Sequence, residues 1–190
     1  MGASRDFVVV VSGVPRSGTS LLMQMLAAGG LPVLSDEARG PDENNPRGYF
    51  EFEPVKALPN GADWLPRATG SAVKVIYTLV RSLPEICDYR VVLIRRDLAQ
   101  VVASQEAMLA GRVPPGPAAD RLAEIYARQL AELEHWLDAR PAFAVLVLDY
   151  DRVLADPLAA ASALDAFVGA GLDTGAMADA VEPGLRHHRA

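Results

Sequence analysis

The chain has 190 residues, 51% of them hydrophobic, and a formal net charge of −6. That suits one globular domain with a substantial core, and the acid excess counts against a nucleic-acid partner, which needs a basic face. A lone cysteine, Cys87, rules out intramolecular disulfides and cysteine-clustered zinc.

Further exclusions follow. His135, His187 and His188 lack metal-ligand spacing. No apolar run approaches the roughly 18 residues of a membrane span, and the run after Asp6 does not lead into a signal-peptide cleavage pattern. The expectation is a single cytoplasmic domain over residues 1–190, without a metal.

Phe7 to Val11 is an uninterrupted apolar, β-branched run, the pattern of a central strand covered on both faces. Ser12 to Ser20 breaks it. Gly13 and Gly18 permit close backbone approach, and Leu21, Leu22, Met25 and Leu26 then recur at helical spacing. Such a strand, loop and helix points backbone N–H groups and the positive helix end at one spot, an anion cradle. The register matches the glycines and final hydroxyl of G-x-x-x-x-G-K-[ST], but Thr19 stands where the lysine of a triphosphate loop belongs, and Arg16 supplies a cation inside the loop. The plainer alternative is a tight turn that starts a helix.

Leu31 to Leu34 predicts a second strand, and Ser35 to Gly48, dense in turn formers and charge, predicts a surface loop serving as lid or substrate gate, or a disordered excursion. Tyr49 to Leu58 sets Glu51 and Glu53 among aromatics, and Trp64 and Leu65 read as a plug at one core edge. Ala72 to Tyr77 predicts a strand carrying Lys74, which needs an anionic partner if it points inward and none if it faces solvent.

Arg90 to Ile94 predicts a buried strand running into Arg95, Arg96 and Asp97, followed by a helix over Leu98 to Leu109 that carries Ser104 two turns beyond Arg96. Gly111 to Pro117 reads as a hinge. Asp120 to Ala139 predicts a long amphipathic scaffold helix. Phe143 to Leu148 predicts a further buried strand ending at Asp149, and Leu158 to Val168 a last helix stopped by Gly169 to Gly171. Alternating strands and helices imply a three-layer α/β/α fold with a central, mostly parallel sheet. Arg16, Lys74, Arg95 and Arg96 then converge at the strand C-termini, where such sheets bind ligands.

The segments VSGVPRSGTSLLMQM, NPRGYFE, VKVIY, VVLIRRDLAQVVASQ and VLVLDYDRVLADP, in this order, resemble the sulfotransferases that use 3'-phosphoadenosine 5'-phosphosulfate (PAPS), particularly small bacterial members, over roughly Phe7 to Val168. The resemblance implies a fold like that of the P-loop nucleoside triphosphate hydrolases and a sulfuryl transfer to a hydroxyl or amine of a small-molecule, lipid or carbohydrate acceptor, with no divalent metal. It implies that Pro15, Arg16, Ser17, Gly18, Thr19 and Ser20 form the 5'-phosphosulfate loop, with Arg16 meeting the bridging oxygen. Arg96 and Ser104 stand where the 3'-phosphate binds, with Arg95 as helper. Lys74 stands where a lysine faces the transferring group, although the proline that commonly follows it shortly afterwards is not met until Pro84.

Many members use a histidine base, and this sequence has none before His135, so a carboxylate takes that role. Glu51 is the choice because it follows the lid beside aromatics that would desolvate it. Glu53, Glu37 and Glu43 are reserves, and each of the four could instead be a surface charge or a cap. Larger relatives close a glycine-rich C-terminal segment over the 3'-phosphate. Here Pro183 to Ala190 stands at that place, with Arg186 and Arg189 as its cations, which leaves an open site, a partner-completed one or an inactive relative as readings. Phe50, Phe52, Trp64 and Tyr77 are candidates for an acceptor pocket or for the core. A P-loop kinase and a non-catalytic nucleotide-binding protein are the alternative functions.

Overall fold

A computed structural model describes residues 6–36, 48–109 and 118–181 of the chain. Five parallel strands form one sheet in the order β2-β3-β1-β4-β5, with β1 Phe7–Ser12, β2 Val33–Leu34, β3 Ala72–Lys74, β4 Asp88–Arg95 and β5 Phe143–Asp149. Helices α1 Thr19–Ala28, α2 Leu65–Ala68, α3 Leu98–Leu109, α4 Ala119–Asp138, α5 Tyr150–Ala155, α6 Pro157–Val168 and α7 Thr174–Asp179 surround it, with 3-10 segments at Glu53–Asn60 and Tyr77–Ser82.

The two-residue period of the strands divides the core. Val8 and Val10 of β1, with Val73, Val91 and Leu93, pack toward α3 and α4 through Val101, Leu133 and Leu137. Val9 and Val11, with Ala72, Val92 and Ile94, pack toward α1, α6 and α7 through Leu22, Met25, Leu164 and Met177. Val8 to Val11 are completely buried, which is why that run is apolar at every position. Trp64 and Leu65 are buried as expected.

Two strands differ from their sequence reading. β3 stops at Lys74, and Tyr77 opens a 3-10 segment. The last paired register is Val11 with Lys74, and past Ser12 the neighbouring β1 turns away into its loop, leaving Ile76 and Tyr77 no ladder to join. β5 is the outer strand, buried at Phe143 and half-buried or exposed beyond it, with Val147 40% exposed. Its apolar run is the same as that of a buried strand, but it pairs with β4 alone.

The chain passes from β1 to β2 and β3 on one side, then crosses to β4 and β5 on the other. β1 therefore marks the switch point of the sheet, and the crevice beyond its C-terminal end is where a ligand of such a sheet sits.

Candidate functional site

At that crevice lies a cavity of about 340 Å³. Its lining includes Pro15, Arg16, Gly18, Thr19 and Ser20 of the loop after β1, together with Glu51, Lys74 and Arg96. Eight of the expected site residues are thus brought together from four separate stretches of chain.

The loop after β1 is fixed by steric necessity at its glycines. A Cβ at Gly13 would stand 2.5 Å from Ser17 Oγ and 2.9 Å from the Ile94 carbonyl oxygen. Gly18 has φ 108°, and a Cβ there would come within 2.5 Å of the Tyr150 ring. Gly18 is also the N-cap of α1, and the first turn carries no acidic residue. The amides of Thr19, Ser20 and Leu21 have no acceptor within the helix, and all three residues line the cavity, so the positive end of α1 is directed there.

Arg16 has φ 74°, in the left-handed region, and is held from both ends. Its Nε donates to Ser104 Oγ at 3.1 Å, and its carbonyl oxygen accepts from Arg96 Nη1 at 3.2 Å. Gln105, beside Ser104 on α3, donates Nε2 to the Pro15 carbonyl at 2.8 Å and accepts from the Tyr126 hydroxyl at 2.9 Å. Two successive loop carbonyls are therefore pinned by side chains that follow β4.

Arg96 also donates Nε and Nη2 to Gln100 Oε1 at 3.4 and 3.3 Å, and its guanidinium lies 4.5 Å from the centre of the Tyr150 ring. A guanidinium carries five N–H donors, and these contacts engage three. Ser104 is 2% exposed; having accepted from Arg16, its hydroxyl has its own proton to donate. Ser17 Oγ is completely buried with no hydrogen-bond partner among the described residues, as is Gln24 Oε1 on the cavity-lining Gln24.

On the other side of β1, Lys74 Nζ donates to the Tyr49 carbonyl oxygen, which also accepts from Ser20 Oγ at 3.5 Å. Lys74 Nζ lies 6.0 Å from the centre of the Tyr49 ring. Glu51 is fixed through its backbone: its carbonyl oxygen accepts from Ser35 Oγ at 3.2 Å and from the Asp36 amide at 3.1 Å.

Other expected residues lie elsewhere. Arg95 does not line the cavity; it donates Nε to Glu134 Oε1 at 3.0 Å on α4, because alternation along β4 turns it to the sheet face opposite Ile94. Glu53 is exposed and pairs with Lys56 at 2.5 Å. Asp149 caps α5, accepting from the Arg152 amide at 3.0 Å. Phe52, Trp64 and Tyr77 are all core, with Phe52 also lining the cavity, and Phe50 packs against the α1 side of the core. Glu37, Glu43, the centre of the expected lid, the expected hinge, Arg186 and Arg189 lie outside the described residues.

Tyr150, Gln100, Gln105 and Gln24 belong to the site and went unread in the sequence. Gln100 had a signal, its i,i+4 spacing from Arg96. Tyr150 also had one, as the aromatic that ends an apolar strand. Among the described residues no group of three or more His, Cys, Asp or Glu could hold a metal ion, and no helix is long and apolar enough to cross a membrane.

Solved structures match almost the whole chain. One is a sulfotransferase domain of the olefin synthase of Synechococcus PCC 7002, at 15% identity and TM-score 0.55, covering 98% of this chain and 84% of that one. A sulfotransferase from Alicyclobacillus acidocaldarius matches at 16% identity and TM-score 0.53, with 97% and 89% covered. Mouse sulfotransferase SULT7A1 complexed with PAP matches at 16% and 0.52, with 95% of this chain and 64% of that chain covered. No protein-family model and no curated protein matches the sequence.

Proposed function

We propose that this chain, whose fold is sulfotransferase-like, moves a sulfuryl group from PAPS to a hydroxyl or amine of a small-molecule, lipid or carbohydrate acceptor. The observation that carries the proposal is the interlock of Arg16, Ser104 and Arg96 around an anion-sized loop that has Thr19 in place of the triphosphate lysine. A domain over residues 1–190 and a cytoplasmic setting belong to the same proposal, supported by composition.

The donor set fits an anion with two phosphate ends. The amides of Thr19 to Leu21 and the Arg16 side chain would hold the 5'-phosphosulfate, and the completely buried Ser17 hydroxyl lies within the same turn. The two remaining N–H donors of Arg96 and the Ser104 proton would hold the 3'-phosphate.

PAPS supplies the activated sulfuryl group when bound. Glu51 would accept the acceptor's proton as the acceptor oxygen or nitrogen bonds to sulfur and the bridging S–O bond breaks, its electron pair passing to the phosphate oxygen. Arg16 and the α1 amides would meet the charge that grows there, and Lys74 the sulfuryl oxygens. Fixed donors of this kind need no reorganisation during the reaction.

The test is thermal unfolding with 3',5'-adenosine bisphosphate. At a hundred times its Kd, a ligand of the native state adds about 2.7 kcal/mol, which for a chain of this size raises Tm by about 5–11 °C. No shift at millimolar concentration would overturn the proposal.

A further inference from the structure

The lining of the cavity changes character at β1. Toward β4 and β5 it is cationic, with Arg16 and, over the ring of Tyr150, Arg96. Toward β3 it is built from the two 3-10 segments and the end of the strand, where Phe52, Val55, Ile76 and Leu79 form an apolar wall. Glu51 and Lys74 stand in this same half. Lys56, its remaining charged side chain, is exposed and paired with Glu53.

Phe52 and Val55 belong to the core, at 7% and 5% exposure, and the residue that opens the wall to the cavity is Ile76. It is 40% exposed, and of the four large hydrophobic side chains that stand exposed among the described residues, it is the one that lines the cavity. The adjacent Val75 and Tyr77 are buried at 0% and 7%. Past the strand end Ile76 thus presents the most open aliphatic side chain of the wall, while Val75 lines the cavity as a buried one and Tyr77 turns to the core.

We infer that the acceptor is an apolar alcohol or phenol, lying against Phe52, Val55, Ile76 and Leu79 with its hydroxyl between Glu51 and Lys74. This rests on the sulfuryl-transfer reading for the fate of the hydroxyl: the O–H proton passes to Glu51, the oxygen bonds to sulfur, and the S–O bond to the donor phosphate breaks with its electron pair. A carbohydrate brings several hydroxyls that each lose water on entry, and the four side chains of this wall offer them no hydrogen-bond partner. A single hydroxyl on an apolar body leaves nothing unpaired there.

The test uses 2-naphthol, whose fluorescence reports binding, in the presence of 3',5'-adenosine bisphosphate, followed by transfer from radiolabelled PAPS to 2-naphthol, 1-octanol and N-acetylglucosamine. Saturable naphthol binding is expected, weakened about tenfold or more in Ile76→Asp, with the bisphosphate-induced melting shift retained. Leu79→Asn serves as the second variant, on the 3-10 turn that Ile76 itself opens, and is expected to act in the same direction. Label is expected on the naphthol or the octanol and not on the sugar. Naphthol binding unchanged in both variants, or label on the sugar in preference to the apolar alcohols, overturns the inference. The two readings fail separately: a missing bisphosphate shift strikes the transfer reaction, while naphthol binding that Ile76→Asp weakens still supports the wall.

Discussion

Arg16 Nε and Ser104 Oγ meet at 3.1 Å across 88 residues of sequence, joining the anion loop to the middle of α3. Ser104→Ala removes the acceptor for Arg16 and, on the proposed reading, a donor to the 3'-phosphate. Bisphosphate affinity is expected to fall by about 10- to 160-fold, the ~1.5–3 kcal/mol of a hydrogen bond to a charged group. Isothermal titration checks this, with the melting temperature of the free variant as control for folding.

Arg96 and Arg95 are adjacent and are predicted to differ completely. Arg96→Ala releases the Arg16 carbonyl, Gln100 and the face of Tyr150 together, and should abolish the bisphosphate melting shift. Arg95→Ala breaks a half-exposed pair with Glu134 on the far side of the sheet, costs about 0–1 kcal/mol, and should leave the shift intact.

Glu51→Gln keeps the backbone contacts to Ser35 and Asp36 and removes the proton acceptor. The expected result is a fall in kcat of about 10² to 10⁴, with bisphosphate binding unchanged. A variant that retained kcat would assign the base elsewhere.

Stability should fall at alkaline pH through Tyr89. Burial, with a smaller contribution from Cys87, raises the Tyr89 pKa well above the ordinary value of 10.0, and its hydroxyl donates to the Pro84 carbonyl at 2.7 Å. The folded state holds this proton more tightly than the unfolded chain does. The resulting stability is complete below pH 10 and declines above it, as the unfolded tyrosine ionises first. Tyr77, raised by burial, adds in the same direction. Denaturant titrations between pH 8 and 11 should show the decline, and Tyr89→Phe should flatten it.

The strand-loop-helix at the N-terminus was legible because every constraint on it is local: four buried valines, glycines at two close approaches, and apolar residues at helical spacing. α3 was legible in full for the same reason. Lys74 was readable as unusual, but its contact with the Tyr49 carbonyl depends on where a chain 25 residues earlier returns. Gln105 and Tyr150 are ordinary in sequence and acquire meaning when α3 and β5 bring them beside Pro15 and Gly18. β5 was misjudged because a strand's hydrophobicity does not say whether a neighbour exists on both sides.

The contact between Gly18 and Tyr150 reaches beyond this molecule. The ring edge occupies the volume that a Cβ at position 18 would need, and its face carries the Arg96 guanidinium. The glycine is therefore a precondition for the ring. In any lineage sharing this loop, a smaller residue at position 150 is expected to leave position 18 a glycine, because its φ of 108° strains any side chain there, and to remove the platform beneath the arginine.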